Sequence, residues 1–292
     1  MIKQFLFILF SLLLFSACSS EKQREIRIAT NSWVGYSPLF YAKETGELDK
    51  LGIKLITNVS LAEASEIFEV GKADLVTTTQ YEYLTLKEVI QDVVPVILID
   101  RSNGGDMILS NKTIDEINNA ETIYAYLEID SINSELLKSF IQTHHLENKQ
   151  LIYTNKDQLQ ISDLENNEKN AMVVVTYAPY NTELEKRGFE EVASTKDINS
   201  LVVIDALCTK KAIYNSDKAR LQQLKVQIDR AILEIEQNPQ KAHKLIGKYL
   251  GNISYDEYVD AVKSIKWINK NPSQELLKKI NKLGYEETIL IQ

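Results

Sequence analysis

From Ile26 onward, short apolar runs alternate with longer amphipathic stretches. Runs rich in Val, Ile and Thr predict buried strands at residues 26–30, 53–58, 73–77, 93–99, 106–109, 122–126, 151–154, 171–176, 190–193 and 201–207. Helices fill the gaps, and several open on recognisable caps. Ser60-Leu-Ala-Glu63, Thr113-Ile-Asp-Glu116 and Ser254-Tyr-Asp-Glu257 each fit a capping box. Asn238 precedes Pro239, which suits a first helical position. Gly46, Gly71, Gly188 and Gly284 fall where helices should end. This alternation predicts an α/β fold with mainly parallel sheets. After Leu207 no further strand is predicted, and residues 209–285 read as nearly all helical. No internal repeat or low-complexity tract interrupts the pattern.

The first residues follow a different rule. Lys3 is followed by the apolar run FLFILFSLLLF, then Ser16, Ala17 and Cys18. That is the order of a secretory signal. The run is too short for a stable span, which takes about 20 residues. The F-S-A-C stretch resembles a bacterial lipobox, with Phe15 where Leu is usual. Residues 1–17 are therefore expected to be a lipoprotein signal peptide and Cys18 the lipidated first residue, its acyl chains (palmitate among them) holding the membrane. Residues 18–25 then form the lipidated Cys and a polar tether.

Charge narrows the partners. The chain carries −8, and losing Lys3 with the signal takes it to −9. An acidic chain is a poor nucleic-acid binder, which needs a basic face. Cys18 and Cys208 are the only cysteines, so acylation of Cys18 leaves Cys208 without a disulfide partner. Cys208 lies in the apolar run VVIDALCTK and reads as a buried, inert thiol.

Residues 26–48, IRIATNSWVGYSPLFYAKETGEL, resemble the start of nitrate/taurine-type ABC transporter solute-binding proteins. Four further segments follow in that family's order: VGKADLVTTTQYEYL, VPVILIDRSNGGDMILS, NEKNAMVVVTYAPYNTELEKRGFEEV and LVVIDALCTKKAI. The resemblance implies a type II periplasmic-binding fold, in which two α/β lobes joined by crossing strands close on a ligand. Lobe 1 would comprise residues 26–103 and 206–292, the latter including C-terminal helices, and lobe 2 residues 104–205. The crossings would lie near 103–107 and 204–207. One departure concerns residues 127–134, LEIDSINS, where the family often has a glycine-rich turn. Side chains replace bare backbone there, so ligand identity does not transfer.

Ligands in such folds bind beyond the carboxyl ends of strands, where loops meet helix N-termini. Four such loops can be placed. In the first, Asn31 and Ser32 can hydrogen-bond a ligand, Trp33 can form a flat wall, Gly35 permits close approach and Tyr36 is a further ligand-binding candidate; a helix cap with a core tryptophan is the plainer reading. In the second, Thr77, Thr78, Thr79 and Gln80 either cap a helix or face the cleft, and Tyr81 is core or wall. In the third, Asp130 or Ser131 caps a helix while Ser131 and Asn133 offer donors. In the fourth, Tyr177 is the better cleft candidate, Tyr180 can be packing, and Pro179 suits a first helical turn.

The hinge adds Asn103, Gly104, Gly105, Asp106 and, on the return, Asp205. A carboxyl at an apolar strand border needs a partner. That partner is either a structural hydrogen bond or a cationic nitrogen of a ligand, and Trp33 also suits a cation through its π face. A small amine-bearing or zwitterionic solute is favoured over an oxyanion, because no Lys or Arg lies in the four loops; Arg101, near the hinge, is the exception.

Other chemistry is set aside. His144 and His145 are adjacent and face different ways on a helix, and His243 lies far along the chain, so no metal site is expected. No P-loop, nucleophile elbow or zincin motif occurs. No cofactor is expected. The leading function is a non-catalytic uptake receptor, monomeric, held by its lipid in the cell or outer membrane, and working with separate ABC permease and ATPase subunits. The alternatives are a ligand sensor for a signalling partner, or an enzyme on the same fold acting on a thiamine or menaquinone precursor.

Overall fold

The computed structural model describes residues 24–197, 201–268, 272–285 and 289–291. The expected signal peptide, Cys18 and most of the tether lie outside the described residues. Among those described, no helix is long and apolar enough to cross a membrane.

Two sheets organise the chain. The first contains β1 (Ile26–Asn31), β2 (Ile53–Asn58), β3 (Leu75–Thr78), β4 (Val93–Ser102), β10 (Ile204–Lys210) and β11 (Ile265–Trp267), in the order β11-β4-β10-β3-β1-β2. The second contains β5 (Asp106–Ser110), β6 (Thr122–Leu127), β7 (Gln150–Asn155), β8 (Ala171–Tyr177) and β9 (Glu190–Ser194), in the order β7-β6-β8-β5-β9. This is the two-lobed α/β architecture that the sequence implied.

Three expectations need correction. The sheets are mixed rather than mainly parallel: β1 pairs in parallel with β2 and β3, and β6 with β7 and β8, but β10 runs antiparallel to β3 and β4, and β5 to β8 and β9. The cause is the crossing itself, since a strand that returns from the other lobe enters its sheet from the opposite end. Strands also do not stop after Leu207, because β11 adds to the edge through Lys266↔Arg101. Three residues are too few for a period-2 signal to show. The return crossing lies earlier than expected, between Ser194 and Ile204. There Ser102 N–H donates to Val203 O at 3.0 Å and Thr195 N–H to Asp106 O at 3.0 Å, zipping the two crossings together.

The helices are α1 (Ser37–Glu44), α2 (Glu47–Lys50), α3 (Leu61–Glu69), α4 (Gln80–Val89), α5 (Ile114–Asn119), α6 (Ile132–Thr143), α7 (Gln158–Ser162), α8 (Asn181–Lys186), α9 (Lys211–Gln237), α10 (Pro239–Ile246), α11 (Tyr255–Lys263) and α12 (Gln274–Lys282). The Thr113 and Ser254 capping boxes form in full, and a further one forms at Thr79 with Glu82. At Ser60 only half does: Glu63 N–H donates to Ser60 Oγ, but the Glu63 carboxylate accepts from Val59 N–H instead. Pro239 opens α10 as expected. Pro179 does not open a helix; it follows a cis Ala178–Pro179 bond, and α8 starts at Asn181. Gly46, Gly71, Gly188 and Gly284 all take the left-handed conformation.

Each sheet is covered on both faces. In lobe 1, Ile28, Leu75 and Ile97 pack towards α1 and α9, while Val76, Leu98 and Cys208 belong to a second cluster with Phe68 and Tyr83. Every residue of β4 except Arg101 is buried. That explains why β4 reads as a continuous apolar run rather than an alternating one. The parallel strands β1, β3, β6 and β8 all send their carboxyl ends towards the space between the lobes, which is where the site forms.

Candidate functional site

The side chains between the lobes are largely buried. Asn31, Trp33, Tyr36, Thr78, Thr79, Gln80, Asp106, Ser131, Asn133, Tyr177 and Asp205 are all buried, while Ser32 and Asn103 are half-buried.

Tyr177 stands at its centre. It ends β8 opposite Asp106 of β5, so both side chains leave the second sheet on the same side. The Tyr177 hydroxyl accepts from Asn31 Nδ2 at 2.9 Å, bridging the lobes. Trp33 and Tyr177 meet edge-on with ring centroids 5.6 Å apart, and Tyr180 and Tyr177 do the same at 5.4 Å. Tyr180 also hydrogen-bonds Ser32. The first and fourth loops therefore build one aromatic wall.

Behind Trp33 lies an acidic pair that the sequence reading did not single out in full. Asp100 and Asp205 face each other across β4 and β10 and hydrogen-bond each other. Trp33 Nε1 donates to Asp100 at 3.3 Å, and the Tyr36 hydroxyl donates to Asp205. Burial, and for Asp205 the charge of Asp100, pushes both carboxyls well above the usual range, so the pair holds a proton. Asp205 thus has structural partners inside lobe 1. Two glycines fit this arrangement. A Cβ on Gly35 would sit 2.1 Å from Asp100 Oδ2, and one on Gly105 would sit 2.4 Å from Cη2 of Trp33.

Asp106 differs from that pair. Its Oδ2 is buried without a hydrogen-bond partner. Burial, with repulsion from Glu82, lifts its pKa to about 7 despite a hydrogen bond from Ser102. Other cleft atoms are similarly unmatched: Asn31 Oδ1, both ends of the Asn133 amide, and Gln158 Nε2. Gln158 is held through its other end, since Thr176 Oγ1 donates to its Oε1 at 2.9 Å. Buried polar atoms are normally paired, so each unmatched one marks a place where a partner is wanted.

Some expected contacts have structural roles. Gln80 is bound at both ends to the return crossing, through Val202 O at 2.7 Å and Ile204 N–H at 3.1 Å. Thr79 caps α4, and Ser131 caps α6 by accepting from Asn133 N–H. Thr78 Oγ1 lies 3.2 Å from Cys208 Sγ. Asn103 is tied to the hinge through its backbone N–H and Ser264 O at 2.8 Å. Arg101 points away from the cleft into a surface depression with Lys266, Glu275 and Lys279.

Asp100, Glu82, Glu128 and Gln158 were not anticipated. Asp100 had a signal, a carboxyl inside an apolar strand, VVPVILID. Glu82 also had one, since Thr79-Gln-Tyr-Glu82 is itself a capping box. Gln158 had none.

The geometry defines a class of fold: the type II periplasmic-binding-protein fold, two α/β lobes that meet at a hinge. Among solved structures, the chain is similar to a ligand-binding component of an ABC-type import system from Staphylococcus aureus, solved with zinc bound (14% identity, 89% of this chain and 91% of that one, TM-score 0.72). It is similar to the periplasmic aliphatic sulphonate-binding protein SsuA from Escherichia coli (15%, 89% and 85%, 0.70). It is also similar to the periplasmic nitrate-binding protein NrtA from Synechocystis (11%, 81% and 69%, 0.62). At these identities the likeness establishes the fold. No protein-family model matches the chain, and no curated protein matches its sequence.

Proposed function

We propose that this chain is a lipid-anchored, extracytoplasmic solute-binding protein of an ABC importer, closing its two lobes on a small amine-bearing or zwitterionic organic solute. The fold supports the receptor role, and the proteins named above are binding components rather than enzymes. The signal-type start and Cys18 support the lipid anchor and the location. The observation that carries the ligand class is Asp106: a buried carboxyl with an unmatched oxygen, beside the Trp33–Tyr177 wall. An ammonium group satisfies that oxygen and lies against aromatic faces.

The test is a melting series on the purified mature protein with amines, taurine-like zwitterions, pyrimidines, sulfonates and nitrate. A ligand at about 100 times its Kd adds about 2.7 kcal/mol of stability. An upward shift with an amine-bearing solute, lost in Asp106→Asn, is expected. A shift with nitrate or a sulfonate alone would refute the ligand class.

A further inference from the structure

Glu82 and Glu128 sit on opposite lobes, and each reaches across the cleft. Glu82, near the start of α4 in lobe 1, accepts through Oε1 from the N–H of Ile132, the first residue of α6 in lobe 2, at 2.9 Å. Glu128, just after β6 in lobe 2, accepts through Oε1 from the N–H of Ala62, in the first turn of α3 in lobe 1, at 3.3 Å, and also bonds Ser60. Both carboxyls are buried. Four neighbouring amides are matched locally: Asn133 by Ser131 Oγ, Ser134 by Ser131 O, Glu63 by Ser60 Oγ and Ala64 by Ser60 O.

A helix N-terminus is an anion-binding end, through its unpaired N–H groups and its dipole. In this protein the first turn of α6 in lobe 2 and that of α3 in lobe 1 each hold a carboxyl from the opposite lobe. We infer that Glu82 and Glu128 are a reciprocal pair of latches that hold the lobes closed without a ligand and deny both helix ends to an anionic solute. The exchange is coupled because each contact crosses the same cleft. Opening the lobes breaks both bonds together and leaves four buried groups to be rehydrated, whereas losing one carboxyl weakens closure at both places. The occupancy of the N–H groups does not depend on charge, since a protonated carboxyl still accepts through its carbonyl oxygen.

Glu128 lies in LEIDSINS, the segment where side chains replace a glycine-rich turn. Glu128 provides there a side chain long enough to cross the cleft. The inference rests on the cleft proposed above, but it needs no ligand to be tested.

The experiment is amide hydrogen exchange on the ligand-free full chain purified in detergent, comparing wild type with Glu128→Ala, Glu82→Ala and Glu128→Gln. The decisive amide is the one that the mutated carboxyl does not touch. In Glu128→Ala, protection of the Ile132 amide should fall at least about tenfold, the factor that about 1.4 kcal/mol represents. In Glu82→Ala the Ala62 amide should respond in the same way, and Glu128→Gln, which keeps a carbonyl acceptor, should retain most of the protection. If each Ala substitution deprotects only its own amide, the latches are not coupled and the inference falls. Should Glu82→Ala fold poorly for lack of its capping box, the Glu128→Ala arm decides alone. Methanesulfonate is the second probe. It should leave the melting temperature of the wild type unchanged, and a rise would show a helix end open to an anion and overturn the exclusion. The ligand panel reads Asp106, so its failure would leave the exchange result standing.

Discussion

Asn31 and Tyr177, 146 residues apart, are joined by a hydrogen bond of 2.9 Å from the amide of one lobe to the hydroxyl of the other. Both groups are buried, and Asn31 Oδ1 has no partner of its own. Tyr177→Phe removes the acceptor while keeping the ring against Trp33 and Tyr180. It leaves the Asn31 amide buried with no partner at either end, a cost of about 1–3 kcal/mol. A lower midpoint in urea unfolding with an unchanged slope is expected. A neutral result would mean that the lobes part readily enough for water to serve Asn31.

Gly35 is fixed by what surrounds it. A methyl group there would overlap Asp100 Oδ2 and Trp33 Nε1, at 2.1 and 2.3 Å. Neither can retreat easily, since Trp33 donates to Asp100 and Asp100 bonds Asp205. Gly35→Ala should therefore destabilise by at least the ~1–3 kcal/mol typical of overpacking. It should also reduce any ligand-induced melting shift, because Trp33 is displaced. Gly46→Ala is the control: its Cβ meets nothing within 4 Å, so any cost there is backbone strain from its left-handed φ alone.

The pattern of apolar runs was enough to place ten of the strands within a few residues, because a buried strand needs its Val and Ile whatever the topology. Direction was not legible. Whether β10 enters its sheet parallel or antiparallel depends on which lobe the chain has just left, and no residue in IDALCTK encodes that. In the site, the residues on strand ends were legible because position along a strand sets which way a loop points. Thus Asn31, Trp33, Asp106 and Tyr177 do meet. The carboxyls that cross the cleft were not, since Glu82 reads as an ordinary helix-start acid and Glu128 as a loop acid until the opposite lobe is seen beside them. Asp205 shows the reverse. Its apolar flanks marked it correctly as needing a partner, but Tyr36 and Asp100 supply one from within lobe 1.

Cys208 gives a reactivity prediction. Its side chain is fully buried, and burial pushes the thiol up to about 12, with Thr78 as a close polar neighbour. The thiolate is the reactive form, so alkylation of the native protein at pH 8 should be far slower than that of the unfolded protein. Rapid labelling of Cys208 by iodoacetamide without denaturant would contradict the packing of β10 against β3.

Asp106 and Glu128 set the pH dependence. Burial lifts both to about 7, from unfolded values near 4. The groups facing Asp106 are Glu82 on α4, the Asp100–Asp205 pair on β4 and β10, and Tyr177 on β8, and among the described residues none of these is a cation that would offset the burial. Between about pH 4 and 7 the folded protein binds more protons than the unfolded one. The stability that these groups contribute is fully present below the unfolded values and is lost as pH rises through about 7. The ligand-free protein should therefore melt lower at pH 8 than at pH 5.5 on their account, and Asp106→Asn should flatten part of that slope. Binding of an ammonium solute runs the other way, because it needs Asp106 ionised. Its apparent affinity should fall by up to about tenfold per pH unit below 7, with one proton released on binding. Calorimetry in two buffers of different ionisation heat measures that proton directly. An affinity independent of pH between 5 and 7 would remove Asp106 from the ligand's reach and leave its unmatched oxygen to a neutral donor.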